Sequence, residues 1–347
     1  MSLRGRLQVP GNLLIAGEYS VLEDGGLGVA MAVGPPVLGR IISADSFRLV
    51  ARAGSYTSEW RPDTQPAHGI DYRVAVFAHA LSILENESSV RSAFTESECD
   101  LSEQMLEVSR TVRNRDFEPV EITVDTRSLF TSDGRKMGFG SSAAATVTGM
   151  ACILAAAGYD PTADRRVIHR LATAAHRSLQ GKAGSGYDVA ASVFGGMGLF
   201  TGGSYPRYER IMLPWFPQPA IDQGAAPQST VNAVMLYKQF KEHHPKTVQK
   251  LFDRNQTLVR GLASSIHGTE GFRFLGELRD HGEEIGELIG VPASLEIRDF
   301  EHERDTGCAS RFHKALGAGR ETIMILPHLA GCPGHAIIRD DGGLRWA

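Results

Sequence analysis

The stretch KMGFGSSAAATVTGM, Lys136 to Met150, decides how the rest of the chain is read. Two glycines, two serines and three alanines lead straight into an apolar run. Gly138 and Gly140 allow the backbone to come close to a ligand. Ser141 or Ser142 can cap the helix that follows. The free N–H groups and dipole at that helix start make an anion site suited to phosphate. The small side chains of Ala143 to Ala145 keep the helix start near whatever binds. By mechanism this is a phosphate cradle.

Several loop types compete for the same letters. A Walker A loop requires G-x-x-x-x-G-K-[ST], and no such string occurs. The dinucleotide fingerprint G-x-G-x-x-G/A fits Gly138, Gly140 and Ala143, but SDGRK precedes it instead of a buried strand. The nucleophile elbow G-x-S-x-G fits with Ala144 in the last place, and it too needs a strand before its serine. A capped, buried helix with no ligand is the remaining reading.

Composition narrows the class. The 347 residues exceed one typical domain and favour two. A hydrophobic content of 42% beside 22% charged residues is that of a soluble globular protein with a sizeable core. The net charge of −4 supplies no global basic footprint for nucleic acid. Cys99, Cys152, Cys308 and Cys332 form no CxxC pair, so free thiols in a reducing compartment are expected. The longest apolar stretch, Ala143 to Gly158, contains Thr146 and Thr148 and is too short to cross a bilayer. MSLRGRLQVPG at the start lacks a signal-peptide core. A cytoplasmic protein with no membrane or nucleic-acid partner is expected, as a monomer or homodimer.

Along the chain, RLQV and LLIA read as short strands broken at Pro10-Gly11. GLGVAMAVG, VLGRII, FRLVAR and PVEITVDT read as further strands, and early hairpins argue for a mixed sheet. Helical spacing is found from about Ile70 to Val90, then in ATVTGMACILAAAG ending at Gly158, then from Pro161 to Gly181. VAASVFGG is a short helix. A Pro/Gly-rich zone from about Gly202 to Gln228 suits a boundary between two lobes, 1–204 and 205–347. Beyond it lie two helical patterns, from Pro245 and from Arg273. A last helix is expected over EIRDFEHERDTGCASRFHKAL, before the strand ETIMIL. EHHPK and FEHE match no zinc spacing and read as solvated faces.

The glycine-serine stretch acquires context from two others. GFGSSAAAT resembles the second motif of the GHMP kinases, G-L-G-S-S-A-A, and Lys136 before it strengthens the likeness to the phosphomevalonate kinase branch. VPGNLLIAGEYSVLEDG, Val9 to Gly25, resembles that branch's opening motif P-G-K-L-[LFI]-x-A-G-E-Y-A-V-L. AHRSLQGKAGSGYDVAASVFGG, Ala175 to Gly196, is similar to its H-x-x-x-Q-G-x-x-S-G-x-D-[VI]-A-A-x-x-[YF]-G-G. Order and spacing agree, over roughly residues 1–200.

The resemblance implies an α+β fold of two lobes, the first like ribosomal protein S5 domain 2 and the second ferredoxin-like, with the active site between them. It implies Mg-ATP-dependent phosphoryl transfer to a small mevalonate-pathway metabolite, 5-phosphomevalonate first and mevalonate second. Gly138, Phe139, Gly140, Ser141, Ser142 and Ala143 would hold the ATP phosphates, with Ser142 also a Mg2+ ligand. Asp188 would be the active-site aspartate, and Lys136 and Lys182 the cations beside the glycine motifs, with His176 and Arg177 as further candidates. Glu18, Tyr19, Ser185 and Gly186 would face the substrate. Two departures stand out. Asn12 occupies the place of the opening motif's lysine. The third motif, G-A-G-G-G-D, survives only as Gly317, Ala318 and Gly319, followed by Arg320, Glu321 and Thr322. These leave a catalytically weak nucleotide- or metabolite-binding protein of the same fold as a competing reading, and a hydrolase using Ser142 as a remoter one.

Overall fold

A computed structural model describes residues 3–63, 71–180, 184–223, 230–291, 311–316, 322–327, 335–336 and 339–347. The chain opens with strands β1 (Leu3–Ala16), β2 (Leu27–Ser43), β3 (Arg48–Ala53) and β4 (Tyr56–Trp60). Helices α1 (Tyr72–Glu85), α2 (Glu87–Ala93) and α3 (Cys99–Asn114) precede β5 (Val120–Asp125). Then come α4 (Ser141–Ala156), α5 (Arg165–Leu179) and α6 (Tyr187–Phe194), followed by β6 (Met197–Thr201), β7 (Arg207–Ile211) and β8 (Ala220–Gln223). Helices α7 (Thr230–His243), α8 (Pro245–Ser264) and α9 (Gly268–Leu288) lead to β9 (Arg311–Leu316), β10 (Thr322–Pro327), β11 (His335–Ala336) and β12 (Arg345–Trp346).

Two sheets organise these elements. The larger runs β12-β1-β2-β5-β3-β4, with β6 and β7 added beside β2. It is antiparallel except where β3 lies parallel to β5. The smaller is an antiparallel sheet in the order β11-β8-β10-β9. The α+β expectation therefore holds. Residues beyond position 204 return to the larger sheet, through β7 and through β12.

Pro10 does not break the first strand as the sequence reading expected. β1 is continuous, and a register shift between Val9 and Gly11 absorbs the proline. A residue without an N–H is tolerated at such a bulge. Gly11 beside it is a point of close approach: a Cβ there would lie 2.6 Å from the Phe139 carbonyl oxygen. The first strand and the glycine-serine loop are thus in backbone contact, and Asn12 N–H donates to that same carbonyl at 3.0 Å. The two strands expected over 26–42 are likewise one, β2, whose first half pairs with β6 and second half with β5.

Helix α4 is the centre of the first lobe. Every residue from Ala143 to Leu154 is buried. A helix apolar on all faces must be covered on all faces, and α4 packs between β1, β2 and β5 on one side and α1, α5 and α6 on the other. Its two threonines return their hydroxyls to the backbone, Thr146 to Ser142 O and Thr148 to Ala144 O. Cys152 is buried on it as a free thiol, and Cys99 is free and exposed.

The expected helix over residues 296–316 is overturned where it can be seen. Arg311–Leu316 is the strand β9, paired along its length with β10. Residues 296–310 of that expectation lie outside the described residues. No described helix is long and apolar enough to cross a membrane.

Candidate active site

The loop before α4 ends in a backbone device. Gly140 is the N-cap residue, at φ +61° in the left-handed region, and no side chain caps the helix. Neither Ser141 nor Ser142 serves as the cap, which corrects the sequence expectation. The first-turn N–H groups therefore have no side-chain acceptor, and such a terminus attracts an anion. Gly140 is also sterically required, because a Cβ would meet the Asn12 amide at 2.2 Å.

Asn12 explains that contact. It is buried, and its Nδ2 donates to Ser192 Oγ at 3.1 Å and to Gly140 O at 3.4 Å. An uncharged bracket between β1, the loop and α6 thus stands where the family pattern has a lysine. Phe139 anchors the loop from within, its residue only 3% exposed in the core.

A cavity of about 270 Å³ opens over this terminus. It is lined by Asn12, the loop from Gly138 to Ala143 and Lys136, and further on by Glu18, Tyr19, Ser185 and Asp188. Asp188 lies in the first turn of α6, where the helix dipole favours a carboxylate. Its Oδ1 accepts the Val189 N–H at 2.9 Å, and its Oδ2 lies 3.5 Å from His176 Nδ1. His176 Nε2 in turn lies 3.2 Å from Ser142 Oγ. A second cavity, about 310 Å³, lies on the other side of the loop between β3, the start of α1 and Phe130. Lys136, Ser141 and Ser142 border both. Lys136 is exposed there, and no ion pair holds it among the described residues.

Other predicted residues have different roles. Arg177 is not a free cation. Its guanidinium donates to the carbonyls of Gly184, Ser185, Gly203 and Ser204, so it clamps the turn that carries Ser185 and Gly186. Lys182 lies outside the described residues, as do Arg320 and Glu321 of the altered third motif. Tyr19 adopts φ +61° and stacks on Tyr237 of α7, ring centroids 5.3 Å apart. Burial and the Glu18 charge push its hydroxyl up to about 12. Among the described residues no cluster of three or more His, Cys, Asp or Glu side chains is placed to hold a metal ion.

Lys314 escaped the sequence reading, because a lysine in an expected helix reads as solvated. On β9 it is 2% exposed and ion-paired with Glu18. The pair fastens the smaller sheet to the cavity wall. His281 of α9 is buried close by, and burial, Arg254 and Lys314 push it down to about 4. Burial, Arg170 and Arg177 likewise push His169 of α5 down to about 3. Both rings are neutral in the fold, whereas the unfolded chain protonates them below the usual 6.5. The unfolded state then binds more protons, so stability is lost as pH falls from 6.5 through the folded values. The expected result is a melting temperature that declines between pH 6.5 and pH 4, followed by scanning calorimetry. A flat profile there would contradict it.

Comparisons with known proteins agree with this architecture. Residues 103–196 match the family described as GHMP kinases N terminal domain. The phosphomevalonate kinase of Streptomyces sp. (strain CL190) is 31% identical over 199 residues, 54% of this chain and 46% of that protein. The mevalonate kinase of Archaeoglobus fulgidus is 31% identical over 158 residues, 46% of this chain and 47% of that protein. The chain thus spans about half the length of the curated relatives it matches. The solved structure of Streptococcus pneumoniae phosphomevalonate kinase in complex with phosphomevalonate and AMPPNP superposes with a TM-score of 0.67 at 15% identity. That superposition covers 94% of this chain and 92% of the other. Residues 103–196 thus carry a GHMP kinase N-terminal domain, set within a fold that the chain shares over nearly its whole length with a solved phosphomevalonate kinase.

Proposed function

We propose that the chain is a small-molecule kinase that transfers the γ-phosphoryl group of ATP to 5-phosphomevalonate, giving 5-diphosphomevalonate and ADP. The observation that carries this reading is the pair of cavities meeting at the uncapped start of α4, with Lys136, Ser141 and Ser142 on their shared border. The cavity beside β3 takes the nucleoside end of ATP. The cavity holding Asp188 takes the acceptor. The loop between them holds the phosphates on N–H donors that have no other side-chain partner.

An oxygen of the acceptor attacks the γ-phosphorus, and the bonding pair of the broken P–O bond leaves on the β-phosphate. Positioning and neutralisation of charge supply most of the rate in such transfers. A phosphate acceptor has a second pKa of about 6, so it arrives largely ionised and Asp188 has little proton to remove. Asp188 then orients the acceptor. Mg2+ fits the donor set, because Ser142 Oγ and the Asp188 carboxylate are hard oxygen ligands on one cavity wall and the ion usually keeps only one or two protein ligands. When bound, the ion would neutralise the charge developing on the phosphates.

A specific observation favours mevalonate as a second acceptor. Asn12 is uncharged and Arg177 is occupied, which leaves Lys136 as the lysine lining the cavity among the described residues. Such a lining suits an acceptor with one fewer anionic group. Asp188 would then have to take the proton of an attacking hydroxyl.

Coupled ADP-release assays with each acceptor separate these readings. Turnover with phosphomevalonate is expected at about 1–100 s⁻¹. Turnover with mevalonate alone would establish the second reading. Tight ATP binding with no turnover of either would overturn the kinase assignment and leave a binding protein of the same fold.

A further inference from the structure

His176 is a buried side chain of the site to which the proposed transfer gives no task. It is 2% exposed on α5, and it touches three polar side chains. Nδ1 faces Asp188 Oδ2 at 3.5 Å, while Nε2 faces Ser142 Oγ at 3.2 Å and Gln180 Nε2 at 3.4 Å. His169, seven residues earlier on the same helix, shows what an inert buried histidine looks like here. Its Nε2 has no hydrogen-bond partner among the described residues, and its ring packs on the edge of Phe194. His176 instead spans the gap between α4 and α6, and it joins the two residues that carry the oxygen ligands.

The geometry favours one orientation of that bridge for a neutral imidazole. An ionised carboxylate only accepts, so a neutral imidazole facing Asp188 carries its proton on Nδ1. Nε2 then presents one lone pair, which accepts the Ser142 hydroxyl at 3.2 Å in preference to the Gln180 amide at 3.4 Å. A serine whose proton is committed in this way offers only its oxygen lone pairs to the cavity. Without His176 the hydroxyl would rotate freely, and it could offer its proton to the solvent or to a nearby carbonyl. On the other side, Asp188 Oδ1 accepts the Val189 N–H, while Oδ2 faces His176 Nδ1 at 3.5 Å.

We infer that His176 is a positioning residue that turns the oxygen of Ser142 toward the phosphate cavity and fixes the Asp188 carboxylate, linking the two by a single imidazole. The inference rests on the kinase reading for its consequence in catalysis, and on the geometry alone for its tautomer. Groups that orient ligands from behind typically change metal affinity or activity by about 10- to 100-fold when removed.

The test uses the full-length protein and three variants, His176→Ala, His176→Asn and His176→Gln. Asparagine places an amide near the Nδ1 position and glutamine near the Nε2 position. Nitrogen-15 NMR of the wild-type imidazole is expected to show the neutral ring protonated at Nδ1. His176→Ala is expected to lower kcat about 100-fold, with KM for ATP and acceptor within about threefold. Mn2+ affinity of the AMPPNP complex, read by electron paramagnetic resonance, is expected to fall about tenfold. Each amide variant is expected to regain at least fivefold of the lost kcat, since each restores one of the two contacts.

An Nε2-protonated ring in the wild type would overturn the inference. So would a His176→Ala kcat and Mn2+ affinity within threefold of wild type, or a loss that only tracks melting temperature and that neither amide relieves. A wild-type protein that turns over no acceptor would defeat the kinase reading instead. The NMR and Mn2+ measurements would then still decide the role of His176.

Discussion

Asp188→Asn is expected to lower kcat about 1000-fold while leaving the protein folded, within the range that a positioned carboxylate contributes to such steps. The substitution is nearly isosteric. The amide oxygen still accepts the Val189 N–H, which is the contact that seats the side chain in the first turn of α6. The charge is lost, and with it the acceptor-only character that sets the His176 proton. If Asp188 both orients the acceptor and ligates the metal, kcat collapses and ATP affinity measured without metal stays within threefold. Steady-state kinetics beside metal-free nucleotide titration would check this. A variant retaining more than a tenth of wild-type kcat would remove Asp188 from the centre of the mechanism.

Lys314→Met is expected to cost about 3–5 kcal/mol of stability, because it leaves the Glu18 carboxylate buried without its partner. Both groups are nearly inaccessible, so water cannot take over the lost interaction. Glu18→Gln with Lys314→Met is expected to recover more than half of that loss, since a neutral pair carries no stranded charge. Guanidinium unfolding of the single and double variants gives the comparison directly. A single variant within about 1 kcal/mol of wild type would show that water reaches the pair. Function should respond as well: Glu18 lines the acceptor cavity, so a loosened pair should raise the acceptor KM more than the ATP KM.

The parts of the site that were legible in the sequence are those where chemistry forces a local pattern. Gly138 and Gly140 supply the positive φ angles of the loop before α4, and Asp188 stands in the first turn of a helix that Gly186 starts. Lys314 was hidden for two reasons. A lysine with neighbours such as Phe312 and Leu316 fits helical spacing as well as strand alternation, and burial of a cation depends on a carboxylate 296 residues away. Arg177 stayed open in the sequence between a site cation and a solvated side chain, because nothing local reveals that four carbonyls from two separate turns converge on it. The serine cap failed for a different reason. The residue before Ser141 already adopts the left-handed turn that starts the helix, and the Ser142 hydroxyl was drawn to His176 across the interior. Helix α3 went unread because its buried face includes Ser102 and Ser109, so its apolar stripe is thin.

The return of residues 339–347 to the first sheet has a consequence for synthesis. Leu7 and Gln8 of β1 pair on one side with Gly39 and Leu38 of β2, and on the other with Trp346 and Arg345. Asp340 N–H also donates to Ala32 O, and Gly196 N–H donates to Asp340 O, so the same late segment staples β2 to the turn after α6. On the ribosome, the strand that carries Asn12 therefore waits for its outer neighbour until residues 345 and 346 have emerged. The larger sheet is completed only when β12 emerges, although β1 to β7 are made well before it. Contacts so distant along the chain slow folding and leave an open strand edge in the interval. Nascent chains stalled before residue 339 would be the ones that chaperones hold.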